Sequence, residues 1–377
     1  MPGCSLFGRW AVILLSLGLV LAQPALAAGD ILIGQSVVKS GPMAANGILY
    51  SQGIALQIDA VNAQGGVHGR KIRLIVADDA YSPEKAIENT RRFIDDHRVM
   101  ALFGYAGTGV AMATAPLAEQ AGVPLIAPLT GATQVFDKGG KQLFVVRANY
   151  YDEMRKMVEH LTTLGTRSIA IAYQDDGFGR SGYKSAEDAL AEFGLKPAAI
   201  GVITAGTYEA DKAAADVAAA NPAAIIMASA GKASVNFIRA YHATGRNAQF
   251  LGLSVVSSNQ LLDELGNAAD GIIITQIVPS PRTRTLQIVR DFHRDAAAAG
   301  NVEINHTTLE GYIAARVLVE ALRRAGPEVS PAGIATALES MGNVNLGGFT
   351  VSFGPKKHAG SNYVDISMVR ASGQFVQ

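Results

Sequence analysis

Residues 100–127 read MALFGYAGTGVAMATAPLAEQAGVPLIA and hold a complete structural unit. Met100 to Phe103 is a short apolar run of the kind that forms a buried strand. Gly104-Tyr105-Ala106-Gly107-Thr108-Gly109 is a loop of small residues, and Thr108 to Ala121 continues with helical spacing. Pro124 to Ala127 is apolar again. Strand, helix, strand within so short a span requires two parallel strands with a helix crossing one face.

The same rhythm extends in both directions. Toward the N-terminus, Ile31 to Val38 and Lys71 to Val76 read as strands. Ser51 to Asn62 is a helix carrying Ile54, Ala55, Ile58 and Val61 on one face, stopped by Gln64-Gly65-Gly66. Ser82-Pro83-Glu84 is a helix start, with a capping hydroxyl, proline in the first turn and an acid beside it. Toward the C-terminus the pattern restarts after Arg147. Tyr151 to Leu164 and Ser181 to Phe193 are helical. Ser168 to Tyr173, Ala198 to Ile203, Ala223 to Ala228, Gln249 to Leu251 and Ile272 to Gln276 are strands. Two such series imply an α/β fold of two doubly wound, mainly parallel sheets covered on both faces. The tail departs from the pattern. Leu286 to Ala299, Thr307 to Arg324 and Pro331 to Met341 are helical and can return to cover the first lobe. Phe349 to Phe353 and Tyr363 to Arg370 are strands around a Gly/Pro/Lys loop.

Composition agrees with this class. The chain has 377 residues, 49% hydrophobic and only 17% charged, enough apolar material for two cores. The N-terminus carries Arg9, an apolar run from Trp10 to Ala22, and Ala25-Leu26-Ala27. This is the layout of a secretory signal over residues 1–27, too short to span a bilayer. Removing Arg9 from 32 basic residues leaves 31 against 32 acids, a net charge of −1. That balance offers nothing to nucleic acid. The single cysteine, Cys4, falls inside the signal, so the mature chain is expected to have neither thiol nor disulfide.

No catalytic constellation is evident. The phosphate-binding loop, the dinucleotide fingerprint and the nucleophile elbow are absent. His68, His97, His160, His242, His293, His306 and His358 are scattered without zinc spacing, so no metal or cofactor is expected. Asp78-Asp79 and Asp175-Asp176 are acidic pairs at strand ends, read as turn and cap chemistry in preference to acid–base catalysis. The positive signal is the loop at Tyr105, Gly107 and Thr108, with Leu129-Thr130-Gly131 in the equivalent place after the next strand. Open α/β sheets bind ligands beyond the carboxyl ends of their strands. Hydroxyls and helix-start amides there suit a carboxylate. Thr108 reads equally well as a plain helix cap.

The chain also resembles the type I periplasmic binding proteins of the leucine/isoleucine/valine-binding family. The marks are Ser40-Gly41-Pro42, Asn62-Ala63-Gln64-Gly65-Gly66-Val67-His68-Gly69-Arg70-Lys71, Asp78-Asp79 with Pro83, Gly122-Val123-Pro124-Leu125-Ile126, Arg147, and Asp176-Gly177-Phe178-Gly179, in that order over more than three hundred residues. The resemblance implies two lobes hinged at three crossings near Ala148, Pro279 and Gly354. Lobe one would be 28–148 with 280–354, and lobe two 149–279 with 355–377. It implies a monomer in the periplasm, serving the permease of an ABC importer and binding a small-molecule ligand such as a branched-chain amino acid. By the same resemblance the ligand carboxylate meets Thr108 and the Leu129–Gly131 loop. The family's first-loop aromatic falls on Asn46, and its second-lobe aromatic on Phe178. The acid that holds a ligand ammonium in this family falls on Ser254, and a neighbouring tyrosine on Ala230. Either Asp175 or Asp176 replaces that acid, or the ligand carries no ammonium and is an aromatic or aliphatic carboxylate, an amide or a urea. Lys232, near this edge, is a solvated helix-start residue or a partner for a second carboxylate. The remaining alternative, a periplasmic hydrolase, lacks an activated nucleophile.

Overall fold

A computed structural model describes the backbone of residues 29–41, 43–256, 258–370 and 375–376. The expected signal over residues 1–27 and Pro42 of the first turn lie outside the described residues. The first lobe opens with β1 (Ile31–Val37), α1 (Ala44–Ala63), β2 (Ile72–Asp78), α2 (Pro83–Asp95) and β3 (Ala101–Phe103). It continues through α3 (Thr108–Ala121), β4 (Leu125–Ile126), α4 (Thr133–Lys138) and β5 (Leu143–Phe144). The second lobe follows with α5 (Tyr150–Thr163), β6 (Ile169–Gln174), α6 (Gly177–Glu192), β7 (Ile200–Ile203), α7 (Asp211–Ala219) and β8 (Ala224–Ala228). Next come α8 (Lys232–Ala243), β9 (Gln249–Gly252), α9 (Ser258–Leu265) and β10 (Ile273–Gln276). The tail holds α10 (Gln287–Ala299), α11 (His306–Arg324), α12 (Pro331–Glu339), β11 (Gly342–Asn345), β12 (Thr350–Phe353), β13 (Asp365–Val369) and β14 (Phe375–Val376).

The first sheet has the order β2-β1-β3-β4-β5 and is wholly parallel. The second has the order β14-β13-β10-β9-β8-β6-β7, parallel except where β13 and β14 join its edge. Its central strand β8, Ala-Ile-Ile-Met-Ala, is buried at every residue, as a strand covered on both faces must be. In each sheet the order reverses once, between β1 and β3 in the first and between β8 and β6 in the second. Loops leave such a switch point in opposite directions and open a crevice there.

The tail helices return to the first lobe. α11 crosses α1 at backbone contact, because a Cβ placed on Gly53 would come within 1.9 Å of the Thr308 carbonyl. Any residue other than glycine there would push the helices apart. The expected end strands part company in the structure. β12 pairs with β11 in a separate hairpin, whereas β13 leaves it to pair antiparallel with β10. Chain segments passing between lobes lie side by side, Val145 donating to the His358 carbonyl at 2.8 Å and accepting from Gly360 at 2.7 Å. Motif residues outside the cleft are local joints. The Asn62 side chain, for example, brackets the backbone N–H and C=O of Ile72, both at 2.8 Å. No helix of the described residues is long and apolar enough to cross a membrane.

Candidate functional site

The crevices of the two sheets face each other. The first lobe contributes Val38 after β1, Asn46 on α1, Tyr81 after β2, Ala106 to Thr108 after β3, and Leu129 after β4. The second contributes Tyr150 at the start of α5, Phe178 and Val255. Among the described residues, none of those lining this chamber is charged. Its free volume is about 20 Å³, room for about one water. The walls are close because the lobes touch across it. Asn46 Nδ2 donates to the Val255 carbonyl, and within the second lobe the Tyr150 and Phe178 rings meet edge to face at 5.4 Å between centroids.

The polar end of the chamber is built on the start of α3. Gly107 occupies the N-cap with φ 106 and has no side chain to cap the first turn. A Cβ there would strike the Tyr81 ring at 2.6 Å, so sterics and backbone both demand glycine. Thr108 is fully buried, and its hydroxyl lies 2.7 Å from that of Thr130. The Thr130 hydroxyl accepts from the Ala132 N–H at 3.2 Å and lies 3.4 Å from the Tyr150 hydroxyl. Thr108 is therefore not the cap of α3. Three hydroxyls and a helix N-terminus converge on one spot, the geometry that favours an anion. Burial holds the Tyr150 phenol above its ordinary pKa, so it stays a donor. Gly131 places that ring, accepting from the Tyr150 N–H at 2.6 Å.

Two aromatic lining residues, Tyr81 and Tyr150, were not singled out from the sequence. Tyr81 had a signal, since Asp78-Asp79 ends a strand just before it. Asp79 accepts from the Ser36 hydroxyl at 2.8 Å and the Tyr81 N–H at 2.9 Å, while Asp78 accepts from the Lys39 and Ala80 N–H groups. The turn so built holds Ala80 and Tyr81 in left-handed conformations, with φ of 50 and 64, and turns the Tyr81 ring into the cleft. The pair is turn chemistry with a positional consequence.

Of the residues expected at the site, Asn46, Gly107, Thr108, Leu129 and Phe178 line the chamber, with Thr130 and Gly131 directly behind it. The rest lie elsewhere. The fully buried Tyr105 ring points into lobe one, its hydroxyl 3.0 Å from that of Thr90, because its strand end turns it toward α2. Ala230 is buried beside β6, its N–H donating to Gln174. Asp175 faces solvent in an ion pair with Arg180 at 2.7 Å, which holds its carboxyl below the ordinary range. Asp176 caps α6 through the Gly179 N–H at 2.9 Å. Lys232 is an exposed residue at the start of α8.

Ser254 belongs to a charged network beside the chamber. Its hydroxyl accepts from Arg147, and its N–H donates to Glu153 Oε2 at 2.8 Å. Arg147 also contacts Glu153 Oε1 and Glu310 Oε1, each at 3.2 Å, and Thr275 donates to Glu153 Oε2 at 2.6 Å. Arg147 and Glu153 are almost wholly inaccessible. Burial pushes the Glu310 carboxyl up to about 7, against the pull of Arg147. The place expected to hold a ligand ammonium thus already has a protein cation, and both oxygens of Glu153 are committed.

Comparison with known proteins agrees with this architecture. The periplasmic binding protein family profile matches residues 30–374. A Leu/Ile/Val-binding protein homolog 7 from Brucella suis biovar 1 (strain 1330) is 29% identical over 331 residues, covering 83% of this chain and 82% of the relative. The structure of a possible leucine/isoleucine/valine-binding protein from Rhodopirellula baltica SH 1 superposes with a TM-score of 0.87 at 29% identity, over 94% of this chain and 98% of that one. A substrate-binding periplasmic protein from Ralstonia solanacearum gives 0.87 at 31% identity, over 92% and 100%. Two parallel-sheet lobes with facing switch points, matched across nearly the whole chain, make this protein a member of the periplasmic binding protein family.

Proposed function

We propose that this chain is the exported solute-binding component of an ABC importer, and that it captures a small apolar carboxylate with no ammonium beside the carboxylate. The observation that carries the reading is the convergence of the Thr108, Thr130 and Tyr150 hydroxyls on the uncapped start of α3, in a chamber without a charged side chain. A carboxylate there gains charge-assisted hydrogen bonds. An α-ammonium would enter the same enclosure without a counter-ion, at a cost of several kcal/mol. With a free volume of about 20 Å³, ligand enters only when the lobes part, so capture and delivery to the permease follow a hinge motion about the crossings near Ala148, Pro279 and Gly354.

A branched-chain amino acid is the second reading, favoured by the names of the Brucella and Rhodopirellula relatives. Calorimetry with leucine and with its α-keto acid separates the two. We expect the keto acid to bind at least about tenfold tighter, a difference of ~1.4 kcal/mol. Asp175→Asn leaves both affinities unchanged. Tight leucine binding that drops in Asp175→Asn would reinstate an ammonium site.

A further inference from the structure

Tyr81 and Phe178 are shared with a second, outer cavity of about 360 Å³, against about 20 Å³ inside. The outer cavity lies between the start of α3, at Gly109, and the start of α6, at Gly177, with Tyr208 closing its far side. The two helix starts are near each other, a Cβ on Gly177 lying 3.9 Å from the Gly109 N–H nitrogen. Among the described residues, Asp176 is the only charged one lining the cavity. Its Oδ1 accepts from the Gly179 N–H and its Oδ2 from Gln174 Nε2 at 2.6 Å. Each carboxylate oxygen takes two donors, so the group retains acceptor capacity. Tyr81 and Tyr208 both stand in the left-handed region, with φ of 64 and 59, and both line the cavity. Both phenols are held above their ordinary pKa, by burial first and by the Asp176 charge second, which keeps them protonated beside a carboxylate.

We infer that the outer cavity is a second subsite, in which Asp176, flanked by Tyr81 and Tyr208, receives a cationic group at the far end of a ligand whose carboxylate occupies the Thr108–Thr130 cradle. This assignment rests on the carboxylate reading of the cradle. It gives the ligand a class: a carboxylate joined to a distal ammonium by an apolar spacer that threads between Tyr81 and Phe178. The inner end is neutral and donor-rich, while the outer end carries the Asp176 carboxylate, so the two ends of the ligand are told apart by the group each meets.

The test is calorimetry on the full-length mature protein with straight-chain fatty acids and their ω-amino counterparts at matched chain lengths. At the spacer length that spans the neck, the ω-amino ligand is expected to bind at least about tenfold tighter than its parent acid. Asp176→Asn preserves the helix cap, asparagine being as good an N-cap as aspartate, and abolishes the preference. Tyr208→Phe, which leaves the cap untouched, reduces it. Thr108→Val weakens both ligand series alike. If the acids bind and respond to Thr108→Val but no ω-amino ligand is preferred, the subsite is wrong and the cradle stands. A preference that survives Asp176→Asn also overturns the subsite. If neither series binds the native protein, both assignments fall.

Discussion

Thr130 and Arg147 both approach Tyr150, one at 3.4 Å from its hydroxyl and the other 5.9 Å from its ring centroid. On the Thr130 side the chamber has no charged lining at all, and its polarity comes from hydroxyls and a helix start. On the Arg147 side a guanidinium and two carboxyl groups are packed together out of water. Arg147 lies between the lobes in sequence, with Glu310 on a tail helix, while Glu153, Ser254 and Thr275 belong to the second lobe. The network joins segments of both lobes, whereas the chamber keeps its donors uncommitted to any charge. The difference teaches that a buried ion close to a binding cleft is not necessarily a ligand partner. Its oxygens have to be counted first, and here Glu153 Oε2 is filled by the Ser254 N–H and the Thr275 hydroxyl while Oε1 is turned to Arg147.

The largest expected effect comes from removing the cation. Arg147→Met leaves Glu153 and Glu310 buried without a counter-charge, and should cost about 3–5 kcal/mol of stability in urea unfolding. A loss no larger than that of an ordinary surface substitution would remove the contrast between network and chamber. The next effect is in pH. Glu310 stands at about 7 in the folded protein against 4.5 ordinarily, so the fold holds its proton more tightly than the unfolded chain does. Its contribution is full below pH 4.5 and is lost as pH rises through about 7, on the order of 3 kcal/mol across that window. Glu310→Gln should flatten this fall, measured as the urea midpoint against pH. An unchanged slope would show that the carboxyl is not protonated there. The smallest effect on stability belongs to the chamber. Thr108→Val keeps α3, because Thr108 is not its cap, and should weaken carboxylate binding about tenfold or ~1.4 kcal/mol with little change in unfolding. Loss of stability without loss of affinity would reverse the assignment.

Much of the architecture was legible in the residues. Runs such as Ala224–Ala228 and the Thr108–Ala121 segment carry their period in the chain itself. The short elements were not legible. β5 has two residues and exists because β4 pairs with it, and β11 is mostly exposed and held by β12. In the site, Gly107, Thr108 and Leu129 stand at strand ends in the first lobe, where loop position and glycine content mark the backbone's approach, while Asn46 and Phe178 came from the family resemblance. Tyr105 misled because a side chain's direction at a strand end depends on the helix packed behind it. Ser254 stood out as a departure from the family pattern, but nothing local to it announces Arg147, 107 residues away in sequence.

The sequence by itself determined two parallel-sheet lobes, the Thr108 loop at a strand's carboxyl end and the turn chemistry of both Asp-Asp pairs, because periodicity, capping and turn preferences are properties of neighbouring residues. The tertiary structure alone decided that Tyr81 and Tyr150 wall the cleft, that Asp175 faces water while Asp176 faces a cavity, and that Arg147 occupies Ser254. Those outcomes depend on which charges meet which partners across long separations, and burial and pairing exist only once the lobes have been brought together.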